Sequence, residues 1–121
     1  MIKQIRCVVI DDDFASRAIL KGLIRQDERL ILVEECSGSA DGAVSITKHK
    51  PDLVFLYLMM PGLDGYDVLE VLDYMPNIIV VTTERNYKSE IFSDRISEYL
   101  YKPVESLEMF TKAVDQAMKT Y

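Results

Sequence analysis

Short apolar runs alternate with amphipathic segments along the chain. The runs consist mainly of valine, isoleucine and leucine, and they occupy residues 5–10, 30–33, 53–58, 78–81 and 96–100. Runs of this length and composition are typical of strands that are covered on both faces of a sheet. The pattern therefore predicts five buried strands.

Each predicted strand is followed by a segment that has the length or the apolar spacing of a helix. The first stripe follows Asp13, and the longest runs through Leu107, Phe110, Val114 and Ala117. Residues 86–93 have the length of a helix but few apolar positions. Five repeats of strand and helix favour a parallel sheet with right-handed crossovers. We therefore expect an α/β fold, the flavodoxin-like (βα)5 doubly wound parallel sheet of order 2-1-3-4-5, with its crevice at the carboxyl ends of the strands.

Length and charge limit the domain organisation and the partners of the chain. With 121 residues we expect one domain spanning residues 1–121, and any further domain of a longer protein would begin after Tyr121. The 20 acidic and 14 basic residues give a net charge of -6, which disfavours direct binding to nucleic acids or anionic lipids. Because no apolar run has the length of a membrane span and no signal peptide precedes the first strand, we expect a cytoplasmic protein.

The chain contains two cysteines, Cys7 in the first predicted strand and Cys36 just after the second. Their spacing fits neither a metal-binding motif nor a disulfide framework. We therefore expect both to be buried thiols of a protein in a reducing compartment.

Reactive polar side chains lie at the ends of four of the predicted strands. They are the acidic triplet Asp11-Asp12-Asp13, then Tyr57, then Thr82-Thr83, and finally Lys102. Adjacent carboxylates at the mouth of a sheet repel each other, and a hard divalent cation such as Mg²⁺ would relieve that repulsion. A threonine hydroxyl and a lysine ammonium can hold a phosphoryl group and neutralise its charge. Together these residue types indicate a site for phosphoryl transfer.

The order and spacing of these motifs resemble the receiver (CheY-like) domain of bacterial two-component response regulators, over essentially the whole chain. Val8-Val9-Ile10-Asp11-Asp12-Asp13 is similar to the first strand of the family and its acidic pair. The stretch from Pro51 to Gly65 resembles the phosphoacceptor strand and loop, in which an aspartate is expected where this chain has Tyr57. Further matches are Thr83 to the hydroxyl position, Tyr99 to the switch aromatic, and Lys102-Pro103 to the lysine and its following proline.

The resemblance implies roles for these residues. Asp11, Asp12 and the backbone carbonyl of Met59 would bind Mg²⁺, more weakly than in the family because the carboxylate at position 57 is missing. Thr83 and Lys102 would hold a phosphoryl group, and Tyr99 would act as a switch together with Thr83. The Lys102-Pro103 bond would be cis.

The resemblance also implies partners. A sensor histidine kinase or another signalling protein would contact the domain. An output domain or a second copy of the chain would bind through the fourth predicted helix, the fifth strand and the last helix. Two departures, Glu84 after Thr83 and a shortened turn at residues 93–96, fall on this signalling face.

Tyr57 decides which function we expect. It has three readings: a natural loss of the phosphoacceptor, an engineered substitution, or a new acceptor. The third is the least favoured, because a phenol with a pKa of about 10 is weakly ionised at neutral pH and transfer needs a carboxylate nucleophile. The first two stay open. We therefore expect a non-enzymatic receiver domain that cannot accept phosphate at Tyr57, acts through protein contacts, and has Lys102 paired with Asp11 or Asp12 or touching the Tyr57 hydroxyl.

An enzymatic alternative uses the same acidic triplet. The pattern Asp11-x-Asp13 after a hydrophobic strand resembles haloacid-dehalogenase-type Mg²⁺-dependent phosphatases, with Asp11 as nucleophile and Asp13 as acid/base. Those enzymes usually have a longer chain and a further acidic pair at a later strand end. The strand that ends at Thr83 carries no such pair.

Overall fold

The computed structural model describes residues 4–57, 65–74, 76–83 and 96–119. The elements are β1 (Ile5–Ile10), α1 (Phe14–Arg25), β2 (Leu30–Cys36), α2 (Ser39–His49), β3 (Leu53–Leu56), α3 (Gly65–Val71), β4 (Asn77–Thr82), β5 (Glu98–Tyr101) and α4 (Leu107–Ala117). All neighbouring strands are parallel, and the order is β2-β1-β3-β4-β5. The predicted α/β fold and strand order are confirmed.

Four of the five strands differ from their predicted bounds. β3 ends at Leu56 rather than at residue 58, β4 runs one residue further at each end, from Asn77 to Thr82, and β5 ends at Tyr101 rather than at residue 100. β2 extends three residues further, to Cys36, after a bulge opposite Cys7 and Val8. The added residues include Glu34 and Glu35, whose charges hid the strand from a search for apolar runs. β5 begins at Glu98 rather than at residue 96, because the hydroxyl of Ser97 accepts a hydrogen bond from the backbone N–H of Ile78 at 3.1 Å. The helix predicted at residues 86–93 lies outside the described residues.

Two hydrophobic cores lie on opposite faces of the sheet. On one face, β-strand side chains such as Val9 and Phe55 pack against α1 and α4. The rings of Phe55 and Phe110 stack there with centroids 5.4 Å apart. On the other face, Val8 and Ile10 belong to the core that includes residues of α2 and α3. Because both faces are covered, the carboxyl ends of the strands form a fixed edge from which polar side chains project.

Both cysteines are buried and neither forms a disulfide. Burial raises the pKa of the Cys7 thiol to about 12 and also raises the pKa of Cys36. The prediction of buried thiols is confirmed. Within the described residues, none of the helices is both long enough and apolar enough to span a membrane.

Gly42 lets α2 lie close to the last residue of β1. A Cβ atom at this position would stand 2.6 Å from Cδ1 of Ile10 and 2.9 Å from two further carbons of the same side chain. We expect Gly42→Ala to destabilise the domain by about 1–3 kcal/mol, because overpacking outweighs the gain in helix propensity. The measurement is the free energy of unfolding in urea.

Gly22 provides the matched control for this prediction. It lies inside α1, and a Cβ atom there would have no heavy atom within 4 Å. Gly22→Ala should therefore stabilise the domain by about 0.5–1 kcal/mol. Equal effects of the two substitutions would contradict the close approach of α2 to β1.

Candidate functional site

Main-chain hydrogen bonds hold three predicted site residues at the carboxyl edge of the sheet. The N–H of Asp11 donates to Cys36 O at 3.0 Å, and the N–H of Tyr57 donates to Ile10 O at 3.0 Å. The N–H of Lys102 donates to Thr82 O at 2.8 Å. The hydrogen bonds of β1, β3 and β5 to their neighbouring strands thus continue one residue beyond the end of each of these three strands. It places Asp11, Tyr57 and Lys102 along one edge.

Asp11 follows β1 and brings a buried carboxylate to this edge. Asp11 is only 1% exposed, and its Oδ2 lies 2.9 Å from the Lys102 ammonium and accepts a 2.8 Å hydrogen bond from the Ser16 hydroxyl. Its Oδ1 accepts a 2.9 Å hydrogen bond from the N–H of Asp13. Burying a charge is costly unless it is paired and hydrogen-bonded. Both conditions are met at Asp11, and the predicted contact of Lys102 with the acidic pair is confirmed.

Lys102 also contacts the aromatic ring of Tyr57. Its Nζ lies 3.8 Å from the ring centroid, and its side chain is only 13% exposed. A cation over the face of an aromatic ring is attracted by the negative potential of that face, more strongly when water is excluded. The ammonium therefore lies between the carboxylate of Asp11 and the ring of Tyr57. The Lys102-Pro103 bond is cis, as predicted.

Arg17 holds Asp11 from the side of α1. Its Nη1 donates to the backbone carbonyl of Asp11 at 2.7 Å, and its Nε contacts Glu35 at 3.1 Å. Lys21 contacts the other oxygen of Glu35 at 2.6 Å. The hydrogen bonds from Lys21 and then Arg17 lower the pKa of Glu35. This network connects the end of β1 to the end of β2.

Ser16, Arg17 and Glu35 were not among the predicted site residues. Their contacts are formed between elements, so no run or stripe in the sequence marks them. The available signal was modest: a serine and an arginine in the first turn of the helix that follows the acidic triplet.

The other predicted site residues lie in different surroundings. Asp12 is exposed, and Asp13 caps α1 by accepting a 3.2 Å hydrogen bond from the N–H of Ala15. Thr83 is exposed just beyond β4. Tyr99 is half-buried against the core on the α2 and α3 face, and burial raises the pKa of its phenol. The Met59 carbonyl lies outside the described residues, and the role of Tyr99 as a switch stays a prediction.

The described residues do not fit a divalent cation at this edge. Asp11 already accepts from three donors of the chain, one of which carries a full positive charge. Position 57 offers a phenol instead of a carboxylate. In the part of the chain that the structure describes, no group of three or more His, Cys, Asp or Glu side chains is arranged to hold a metal ion. A cation at Asp11 Oδ2 would compete with the Lys102 ammonium for that oxygen.

Comparison with known sequences gives one consistent family. The family described as the response regulator receiver domain matches residues 7–114. A response regulatory protein of Vibrio cholerae is 30% identical over 120 residues, which cover 98% of this chain and 50% of that protein. The transcriptional regulatory protein BtsR of Escherichia coli is 27% identical over 108 residues, covering 88% and 45%. The chain thus spans about half the length of the curated relatives it matches.

Solved structures agree with the fold. The response regulator domain of Thermotoga maritima CheB has a TM-score of 0.85 at 20% identity, covering 98% of this chain and 99% of that one. The response regulatory domain of Klebsiella pneumoniae mrkE has a TM-score of 0.77 at 21% identity, covering 95% and 99%. These likenesses show the flavodoxin-like fold.

Family membership sets the general function. Receiver domains are generally signalling modules rather than enzymes, and they generally bind Mg²⁺ at an acidic pocket. Response regulators interact with histidine kinases and often carry output domains. The phosphatase alternative gains no support from these matches, and Asp13, its suggested acid/base, serves as the cap of α1. From its fold and its match over residues 7–114, the chain belongs to the receiver-domain family of two-component response regulators.

Proposed function

We propose that this receiver domain does not accept phosphate and instead signals through protein contacts. In this proposal Tyr57 occupies the phosphoacceptor position. The position of Tyr57 in the sheet supports this assignment. Tyr57 directly follows β3, the central strand, and its N–H donates to the carbonyl of Ile10 at the end of β1. The central strand of such a sheet directs its terminal side chain into the crevice where ligands bind.

The chemistry of a phenol argues against phosphoryl transfer at Tyr57. A carboxylate is fully ionised at neutral pH and attacks phosphorus directly, whereas a phenol with a pKa of about 10 is almost entirely protonated. Among the described residues, no histidine lies at this edge to act as a general base for the phenol. His49 lies at the end of α2 and contacts Glu34 at 3.1 Å. The hydroxyl of Tyr57 is therefore a poor nucleophile in this pocket.

The position of Lys102 carries the proposal. A phosphoryl group at this edge would need the lysine as its counter-charge, but the ammonium is already held by Asp11 at 2.9 Å and by the Tyr57 ring at 3.8 Å. Both contacts are shielded from water, so both are stronger than they would be at the surface. Among the described residues, the charges of Asp11 and Lys102 thus balance each other.

The other site residues are assigned on the same basis, with Lys102 held by Asp11 and Tyr57. Residues 1–121 form a single receiver domain in which Thr83 and Lys102 are the remnants of the phosphoryl pocket and Tyr99 is the switch residue. Tyr57 would hold the domain in one of the two receiver states.

The proposed partners are a sensor histidine kinase or another signalling protein, and an output domain or a second copy of the chain. The output partner would bind through the helix predicted at residues 86–93, through β5 and through the last helix, α4. The net charge of -6 supports protein partners over nucleic acid or anionic membrane surfaces, in a cytoplasmic setting.

Treatment with a small phosphodonor and Mg²⁺ tests the proposal. We expect no phosphoryl group on the unmodified chain, and clear labelling of Tyr57→Asp, because the substitution restores a carboxylate nucleophile beside Asp11 and Lys102. Intact mass spectrometry at neutral pH reads out the label. The acyl phosphate of Tyr57→Asp should be lost on treatment with hydroxylamine.

Tyr57→Phe is the matched control for the hydroxyl. It keeps the ring below Lys102 and removes the only nucleophilic atom of the side chain, so it should behave as the unmodified chain does. Labelling of the unmodified chain that disappears in Tyr57→Phe would contradict the proposal and identify Tyr57 as a new acceptor.

The Ser16 hydroxyl allows a test of how much the partners of the buried Asp11 carboxylate stabilise the domain. We expect Ser16→Ala to lower the free energy of unfolding by about 1–3 kcal/mol, because the buried Oδ2 of Asp11 loses one of its two donors. Ser45→Ala is the control, since Ser45 is also buried but donates to Glu34, whose side chain is 44% exposed. Ser45→Ala should lower the free energy of unfolding less than Ser16→Ala does, because water can satisfy Glu34. Equal losses would mean that Asp11 does not depend on Ser16.

A further inference from the structure

The carboxylate of Asp11 accepts from three donors of this chain. A carboxylate that is 1% exposed requires a nearby positive charge, because its desolvation costs several kcal/mol. Here that charge is the Lys102 ammonium at 2.9 Å, assisted by the Ser16 hydroxyl and the Asp13 N–H. We infer that Lys102 is a tethered cation that takes the place of a divalent metal ion in the acidic pocket. The inference rests on the proposed function, in which no phosphoryl group competes for the lysine.

While position 57 carries no carboxylate, the lysine and a metal ion compete for the carboxylate of Asp11. A Mg²⁺ ion binds carboxylate oxygens at about 2.0–2.1 Å and prefers several anionic or water ligands in octahedral geometry. At Asp11 Oδ2 it would meet an ammonium that lies 2.9 Å from the same oxygen, in a site with little water to screen the repulsion. The ammonium and the ion therefore compete for this oxygen. The tethered one has the advantage that binding it costs no loss of translational freedom.

Tyr57 acts on both sides of this competition. The phenol removes a carboxylate that would have been a metal ligand, which weakens the site for a divalent ion. Its ring also lies 3.8 Å from Lys102 Nζ and attracts the ammonium, which strengthens the lysine. The same side chain therefore disfavours the metal and favours its replacement.

A simpler account makes the missing carboxylate alone responsible for any loss of metal binding. The two accounts differ for substitutions of Lys102. If the lysine occupies the site, removing its charge should allow a divalent ion to reach Asp11 and Asp12 even while Tyr57 is present. If only the carboxylate matters, removing the lysine should gain nothing.

The experiment measures Mg²⁺ and Mn²⁺ binding by isothermal titration calorimetry and by the metal dependence of the melting temperature. The proteins are the unmodified chain, Lys102→Met, the milder Lys102→Gln, Tyr57→Asp, and Lys112→Met as control. Lys112 is an exposed lysine of α4, so its loss removes the same charge away from Asp11.

We expect the unmodified chain and Lys112→Met to show no metal-dependent melting at millimolar Mg²⁺. Both Lys102 variants should bind the metals about tenfold to a hundredfold more tightly than the unmodified chain, the range by which groups next to a metal ligand alter metal affinity. Their melting temperatures should rise with added metal and fall again with a chelator, because the ion restores the positive charge beside Asp11. Lys102→Gln keeps a hydrogen-bond donor for Asp11 and serves if Lys102→Met does not fold.

Two results would overturn the inference. One is metal binding by the unmodified chain that is as tight as in the Lys102 variants. The other is a gain of binding in Tyr57→Asp alone, which would assign the effect to the missing carboxylate. Neither result touches the proposed function, which fails only if the unmodified chain takes up a phosphoryl group from the small phosphodonor.

Discussion

The cost of burying one carboxylate shapes the carboxyl edge of this sheet. Asp11 is almost completely enclosed, so its charge has to be balanced by groups that the fold brings to it. β1 contributes the acid, α1 contributes Ser16 and the capped turn at Asp13, and the segment after β5 contributes Lys102. The pair of Asp11 and Lys102 spans the two strands that separate β1 from β5. Breaking it would leave a buried charge without a counter-charge, which costs more than the loss of an ordinary surface ion pair.

Tyr57 is compatible with that constraint because its ring performs a different task from a carboxylate. An aspartate at this position would place a second negative charge near Asp11, and a metal ion would then be needed to hold the two together. The neutral phenol removes this repulsion and provides an aromatic face for the ammonium at 3.8 Å. The architecture of the family is kept while the charge of Asp11 is balanced by Lys102. Under the proposed function, a tyrosine at the phosphoacceptor position would therefore alter the chemistry without disturbing the sheet.

Sequence patterns predicted the parts of the molecule that depend on local order. β1 ends where its apolar run meets Asp11, and Lys102 was identified because it follows the last short strand and precedes a proline. The end of β2 was missed because Glu34 and Glu35 are strand residues whose charges are satisfied by α2 and α1.

The finer arrangement of the site depends on tertiary contacts that no spacing encodes. Asp11 and Asp12 are neighbours with the same side chain, and only the direction in which each projects from the strand end decides that Asp11 is buried and Asp12 exposed. Arg17 binds the carbonyl of Asp11 from α1, while Lys102 binds its carboxylate from the segment after β5. A residue held from two sides has a single favoured position. Under the proposed function, a change of state then requires a partner protein that binds one arrangement more tightly than the other, because only differential binding can shift such an equilibrium.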